Sequence, residues 1–268
     1  MVLHVLPAVG VKGFLEGAVE ACEMPFGQYV FLRDRGEPIT AIPVFPDRLL
    51  TQLYVYARRS AGIESLAQLR GKRVLLPMYW MTASLWHRAM LQEAGVAASE
   101  VQWYTSSPEP DPRMRLPDGI NCARIGGSFL GIDRLLDHSV DCVMTEARPL
   151  IPADLESEVI PLPTDARQRQ MEWIRRTGFH PIVHVIVLRN AAVEQRPEII
   201  HELCWAFDRA KLSAYQLLQN ERITGLPLMR AYLDETVELF GADPWTYGLQ
   251  ANKAEIEQFL TYAYEQGM

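Results

Sequence analysis

Short runs rich in β-branched and aromatic residues alternate along this chain with longer stretches of helical periodicity. That alternation restricts the fold to α/β architecture, since neither a β-sandwich nor a helix bundle uses both in turn. Strands are expected at residues 3–6, 39–45, 53–57, 73–76, 101–104, 142–145, 159–162 and 182–189. Helices are expected at 11–21, 25–33, 82–94, 131–136, 198–218, 228–240 and 252–265. The helix from Thr82 has a hydroxyl at its start, apolar Leu85, Ala89 and Met90, and Gly95 as terminator. Pro197 suits the first turn of the next long helix, where Ile200, Leu203, Cys204, Phe207, Lys211 and Ala214 follow the 3.6-residue period. Residues 106–117, rich in Pro, Ser and Asp, read as a surface loop.

At roughly 150 residues per domain, 268 residues suggest two domains. Residues 73–163 hold their own strands and helices, while the flanking segments look incomplete alone. The expected organisation is therefore a discontinuous lobe of residues 1–72 plus 164–268, with residues 73–163 inserted as a second lobe. Two crossing strands and a ligand cleft are expected at the junction.

Composition removes several classes of function. With 49% hydrophobic and 22% charged residues the chain lies outside the disordered regime. Lys and Arg total 26 against 33 acids, a net charge of −7, the wrong sign for a phosphate backbone, so no nucleic-acid partner is expected. The basic set is 22 Arg to 4 Lys, and Arg is the side chain that grips carboxylates in a planar fork, although Arg-rich codon usage explains most positions equally well. Cys22, Cys122, Cys142 and Cys204 are far apart and read as reduced, buried thiols. His4 and Pro7 interrupt the N-terminal apolar run, and no run approaches the ~18 residues of a membrane span. A soluble, cytoplasmic protein without a membrane partner is the expectation; homo-oligomerisation is left open.

The usual cofactor and hydrolase markers are missing. There is no G-x-G-x-x-G after a strand, no G-x-x-x-x-G-K-S/T loop, no G-x-S-x-G and no H-E-x-x-H. His180 and His184 have the spacing of a metal pair only on a helix. Pro181 and the run Val183, Val185, Ile186, Val187 make the segment a strand, where four residues span ~13 Å. No metal is therefore expected, and His180 reads as a structural histidine.

The stretch Ser65-Leu66-Ala67-Gln68-Leu69-Arg70-Gly71-Lys72-Arg73-Val74 resembles the sequence that opens the second lobe of type II periplasmic-binding-protein folds. Four further stretches are more specific: Ala41-Ile42-Pro43-Val44-Phe45-Pro46-Asp47-Arg48, Met81-Thr82-Ala83-Ser84-Leu85-Trp86, 175–184 (Arg-Arg-Thr-Gly-Phe-His-Pro-Ile-Val-His) and 241–252, which contains Trp245-Thr246-Tyr247-Gly248. Together they resemble the 4,5-dihydroxyphthalate decarboxylase family, which uses that fold as an enzyme. Two positions depart from it: Pro77-Met78-Tyr79-Trp80 stands where the family commonly has Pro-Glu-Tyr-Gln, and Glu146 where a small or neutral residue is usual. Relatives also usually carry an extra strand before the point where this chain starts.

The resemblance implies an α/β, two-lobe, type II periplasmic-binding-protein-like fold and a carboxy-lyase converting 4,5-dihydroxyphthalate to 3,4-dihydroxybenzoate and CO2, with no cofactor. Binding two adjacent carboxylates requires positive charge or amide donors at two neighbouring points. The helix at Thr82 supplies unpaired N–H groups, aided by the Thr82 and Ser84 hydroxyls. Arg48, Arg148 and Arg176 are the candidates for the other carboxylate, each equally well read as pairing with an acid such as Asp47 or Glu146. His184 is the candidate acid–base residue, because imidazole titrates in the useful range and it closes the family-like Gly178-x-x-Pro181-x-x-His184 pattern. Glu23 and Glu146 are secondary candidates, facing the phenol. Tyr79, Trp80 and Trp86 are placed either to stack on a substrate ring or, as is commoner for aromatics beside a helix start, to fill the core, and Trp86 reads as core. Two alternatives stay open: a solute-binding protein for a small carboxylate, and another enzyme of the same fold acting on a different unsaturated carboxylic acid.

Overall fold

The computed structural model of the chain describes residues 7–268. The strand expected at 3–6 lies outside the described residues. The first elements are α1 (Pro7–Leu15), β1 (Ala21–Pro25), α2 (Phe26–Asp34), β2 (Ile39–Ile42), β3 (Val55–Arg58), β4 (Arg73–Leu76) and α3 (Thr82–Glu93). They are followed by β5 (Gln102–Thr105), β6 (Cys122–Arg124), α4 (Ile132–Leu136), β7 (Cys142–Met144), β8 (Val159–Pro161) and α5 (Ala166–Thr177). The chain closes with β9 (His184–Arg189), α6 (Asn190–Gln195), α7 (Ile199–Leu218), α8 (Glu221–Thr224), α9 (Met229–Phe240) and α10 (Lys253–Glu265). Among the described residues no helix is long and apolar enough to cross a membrane.

The chain forms two compact units, both discontinuous. Unit 1 comprises residues 1–48 and 174–255, and unit 2 comprises 49–173 and 256–268. The boundaries differ from those expected at 72/73 and 163/164 for a physical reason. β3 pairs antiparallel with both β7 and β8, which draws the chain from residue 49 onward into the second sheet.

Unit 1 is built on an antiparallel sheet in the order β1-β9-β2. β9 lies in the centre, with Val185, Val187, Ile186 and Leu188 all buried, so both of its faces are covered. One face carries Ile42, Val44, Ile186 and Leu188, against which Ile199, Ile200, Leu203, Cys204 and Phe207 pack. The stripe read from the 3.6-residue period of α7 is thus the stripe that meets the sheet. The helix expected at 11–21 instead ends at Leu15, and Gly17 at φ +82° turns the chain into β1. Alternation in β1 then buries Cys22 and Met24 and turns Glu23 to the other face.

Unit 2 is built on a mixed sheet in the order β6-β5-β4-β7-β3-β8. Its first four strands run parallel, and β3 is antiparallel to both of its neighbours. Every residue of α3 from Thr82 to Leu91 is buried, so α3 is a core helix rather than a one-sided amphipathic one. Full burial of each large apolar side chain here contributes about 1.5–3 kcal/mol. α5 and β6 escaped the sequence reading because α5 is dominated by Arg and Gln and buries Gln170 beside Ile174, while β6 is a short edge strand.

Candidate active site

The register of unit 1 places Glu23 opposite Ile186 and Pro25 opposite His184. Glu23 and His184 are therefore diagonal neighbours on one face of the sheet, within reach of long side chains. A carboxylate oxygen of Glu23 lies 2.6 Å from His184 Nδ1. Asp47 Oδ2 lies 3.7 Å from the same nitrogen. The Asp47 carbonyl accepts the N–H groups of Val183 (3.0 Å) and His184 (3.2 Å), so the loop after β2 is stitched to the start of β9.

The electrostatics of this trio follow from its burial. Desolvation raises the Asp47 carboxyl above the usual carboxylate range, the adjacent Glu23 charge raises it further, and His184 pulls it down. The His184 side chain is 14% exposed and that of Glu23 33%, so the pair is sheltered yet reachable. An imidazole held at Nδ1 by a carboxylate is fixed in orientation, and its Nε2 is left to accept or donate a proton.

Arg48 has a different surrounding from the one expected of a carboxylate-binding residue. Its side chain is 2% exposed and lies 3.4 Å from Glu255. It donates from Nη1 to the His180 carbonyl (2.5 Å) and from Nη2 to the Thr246 carbonyl (2.8 Å) and Asn252 Oδ1 (2.5 Å). This is the ion-pair alternative, with a partner 207 residues away rather than Asp47 or Glu146. His180 is buried beside it, hydrogen-bonded through Nδ1 to the Pro244 carbonyl, and burial lowers its pKa to about 4. Arg176 lies exposed near the end of α5, also in unit 1.

The other expected site residues belong to unit 2. Thr82 and Ser84 open α3 and are buried, and the Ser84 hydroxyl donates to the Met78 carbonyl (2.8 Å). Tyr79 is a core side chain: its ring meets Trp80 and Trp103 edge-on, and the Arg88 guanidinium lies 3.8 Å over it. Packing therefore takes the surface that a stacked ligand ring would need. The Tyr79 and Trp80 N–H groups are taken by Glu109 at 2.8 and 2.9 Å, from the loop read as Pro- and Ser-rich. Trp86 is core as well, beside Phe259 and Trp173. Glu146 is half-buried in a turn closed by Thr145 Oγ1 donating to the Ala147 carbonyl (2.7 Å), and Arg148 beyond it is exposed.

Among the described residues no group of three or more His, Cys, Asp or Glu is arranged to hold a metal ion. The cysteines are unpaired, and burial pushes the Cys22 and Cys122 thiols up to about 12, away from nucleophilic duty.

The chain is 30% identical over 266 residues to the 4,5-dihydroxyphthalate decarboxylase of Comamonas testosteroni, covering 96% of this chain and 81% of that one. It belongs to the 4,5-dihydroxyphthalate decarboxylase family. A Pseudomonas putida protein of the same name is 36% identical over 105 residues, 38% of this chain and 41% of the relative. No family model matches. Among solved structures, a protein of Archaeoglobus fulgidus matches 99% of this chain and 84% of its own, with TM-score 0.53 and 14% identity. The periplasmic sulfonate-binding protein SsuA of Methylobacillus flagellatus matches 96% of this chain and 70% of its own, with TM-score 0.52 and 14% identity. At such identities the likeness shows the fold: this family member is an α/β protein of periplasmic-binding-protein type. The sequence offered Glu23 and His184 as separate candidates, which the structure brings together, and Asp47 only as an ion-pair partner for an arginine; its place in the Pro46-Asp47-Arg48 stretch was the available signal.

Proposed function

We propose that this family member is a cofactor-independent, cytoplasmic carboxy-lyase that converts 4,5-dihydroxyphthalate to 3,4-dihydroxybenzoate and CO2. The observation that carries the reading is the Glu23–His184 pair, a carboxylate-oriented imidazole seated in the family-like 175–184 stretch. Loss of CO2 from an aromatic ring is slow because negative charge develops on the ring carbon. Protonating that carbon first removes the difficulty, which requires an acid near neutrality.

In the proposed cycle His184, protonated, delivers its Nε2 proton to the ring carbon that bears the departing carboxylate. The hydroxyl para to it gives its proton to water and recovers it at the end. The carbon–carboxylate bond then breaks, its electron pair restores the aromatic ring, and CO2 leaves. Glu23 holds the imidazole in place and offsets its charge while it is protonated, and His184 takes a new proton from water once CO2 has left. Within unit 1, Arg176 is the side chain proposed to meet a substrate carboxylate. The site must not over-stabilise the carboxylate that leaves.

The test is to incubate the purified protein with a panel of hydroxylated phthalates while following CO2 and 3,4-dihydroxybenzoate. Turnover of the 4,5-dihydroxy isomer is expected. No product above background overturns the proposal, and tight binding without turnover would replace it with a binding role.

A further inference from the structure

The stretch that leads into β9 is held by a buried ion pair with no part in the chemistry just described. Pro181 has no N–H, so across 180–182 only its two neighbours donate backbone amides. Glu255 accepts both of them: His180 N–H at 3.2 Å on Oε2 and Ile182 N–H at 2.6 Å on Oε1. Arg48 closes the arrangement by pairing with Glu255 and donating to the His180 carbonyl, the Thr246 carbonyl and Asn252. One residue before Arg48, the Asp47 carbonyl takes the amides of Val183 and His184, while Ile182 bridges to Arg48 itself.

The amides of His180, Ile182, Val183 and His184 are thus held by two anchors, Glu255 on α10 and the Asp47–Arg48 junction after β2. Asp47 also supplies the second carboxylate beside His184 Nδ1, so both the backbone and the electrostatic neighbour of His184 depend on where Arg48 is held. Glu255 is itself 5% exposed, and burial raises its carboxyl to about 7, against which Arg48 acts to keep it ionised. A buried charge pair is often no more stabilising than well-packed apolar side chains, so its presence invites a reason other than stability.

We infer that Glu255 is a positioning residue for His184, acting with Arg48 through the 180–184 backbone to set the Glu23–His184–Asp47 geometry. The inference rests on the reading of His184 as the acid–base residue, and it extends that reading to a part of the chain far from the reacting atoms. A carboxamide at 255 presents an NH2 group to one of the two amides and leaves Arg48 without its counter-charge, which displaces the stretch that carries His184.

The experiment compares wild type with Glu255→Gln by 15N-histidine NMR titration of the ligand-free protein, with the His184 signals assigned by their loss in His184→Ala, and by steady-state kinetics. The expected result is a His184 titration midpoint moved by about half a pH unit or more. A kcat lowered about tenfold or more is expected with it, while KM stays within about threefold. If Glu255→Gln does not fold, the double variant Arg48→Met/Glu255→Gln removes both charges together and is read in the same way. An unmoved His184 titration, or an unchanged kcat, overturns the proposal even if the melting temperature falls. Full turnover by His184→Ala would instead overturn the acid–base assignment, and positioning would then be decided by the NMR titration alone.

Discussion

Glu23 and His184 meet at 2.6 Å across two antiparallel strands, although 161 residues separate them in the chain. The contact is diagonal: His184 is register partner to Pro25, and Glu23 faces Ile186. A slip of one residue would turn Glu23 into the core and Met24 outward, so the packing of Cys22 and Met24 also fixes the site.

Replacing His184 by Ala is expected to lower kcat about 100-fold or more while the affinity for substrate changes little, because general acid–base catalysis contributes about 10²–10⁴-fold. Glu23→Gln, which keeps a hydrogen-bonding partner but no charge, is expected to have a smaller effect of the same kind. Product formation by chromatography and calorimetric binding separate the two quantities. Comparable losses in binding and turnover from His184→Ala would contradict the assigned role.

Arg176→Ala is expected to weaken substrate binding by about tenfold or more, as for loss of a charge-assisted hydrogen bond, with kcat preserved within a few-fold. Arg176 is exposed, so the melting temperature should stay near wild type. Binding unaltered in this variant removes Arg176 from the site.

The sequence conveyed most where local patterns and tertiary contacts agree. The α7 stripe from Ile200 to Phe207 meets the sheet as the 3.6-residue period requires, and β4 occupies the expected residues. His184 was singled out because imidazole suits acid–base work and because it closes the Gly178-x-x-Pro181-x-x-His184 pattern, not from any signal of its contact with Glu23. What escaped notice depends on distant partners. Arg48 is indistinguishable in sequence from a ligand-binding arginine, and only the fold brings Glu255 and Asn252 to it. Tyr79 looked like an aromatic beside a helix start, but the Arg88 guanidinium and Trp103 from another strand enclose it. Glu109 lies in a stretch read only as loop, and its cap on Tyr79 and Trp80 has no short-range signature.

Acid should destabilise the protein through two buried histidines. Burial lowers both His87 and His180 from 6.5 to about 4, so between these values the unfolded chain binds more protons than the folded one. Their contribution is fully present above pH 6.5 and is lost as pH falls toward 4, up to roughly 3 kcal/mol each. Glu255, raised from 4.5 to about 7, works in the opposite sense, its share falling as pH rises through that window. His87→Gln keeps a donor for the Thr51 carbonyl, 3.1 Å away, and removes one titration. Its acid-unfolding curve by circular dichroism should be shallower than wild type between pH 6.5 and 4, and an identical slope would contradict this account.

Gly131 precedes α4 at φ +70°, and a Cβ there would lie 2.3 Å from Leu75 Cδ2 in the core of unit 2. Gly131→Ala therefore combines backbone strain with overpacking and should cost about 2–4 kcal/mol of unfolding free energy. Gly36→Ala, at φ +77° but with nothing within 4 Å, should cost only the backbone share, about 1 kcal/mol. Chemical denaturation of the two variants measures the difference, and equal losses would mean that Leu75 yields freely.

The place of β9 at the centre of its sheet bears on how a ribosome can deliver this molecule. β1 and β2 pair with β9 and not with each other, so a nascent chain stopped before residue 184 holds two strands with no mate. The nine strands of the described residues have all emerged only with residue 189, and until then apolar strand edges stay open to wrong partners. Loop closure over more than 140 residues makes this sheet slow to form, whereas β4 and β5, separated by a single helix, close early. Truncations placed between residues 145 and 184 should accumulate as chaperone-bound or insoluble chains.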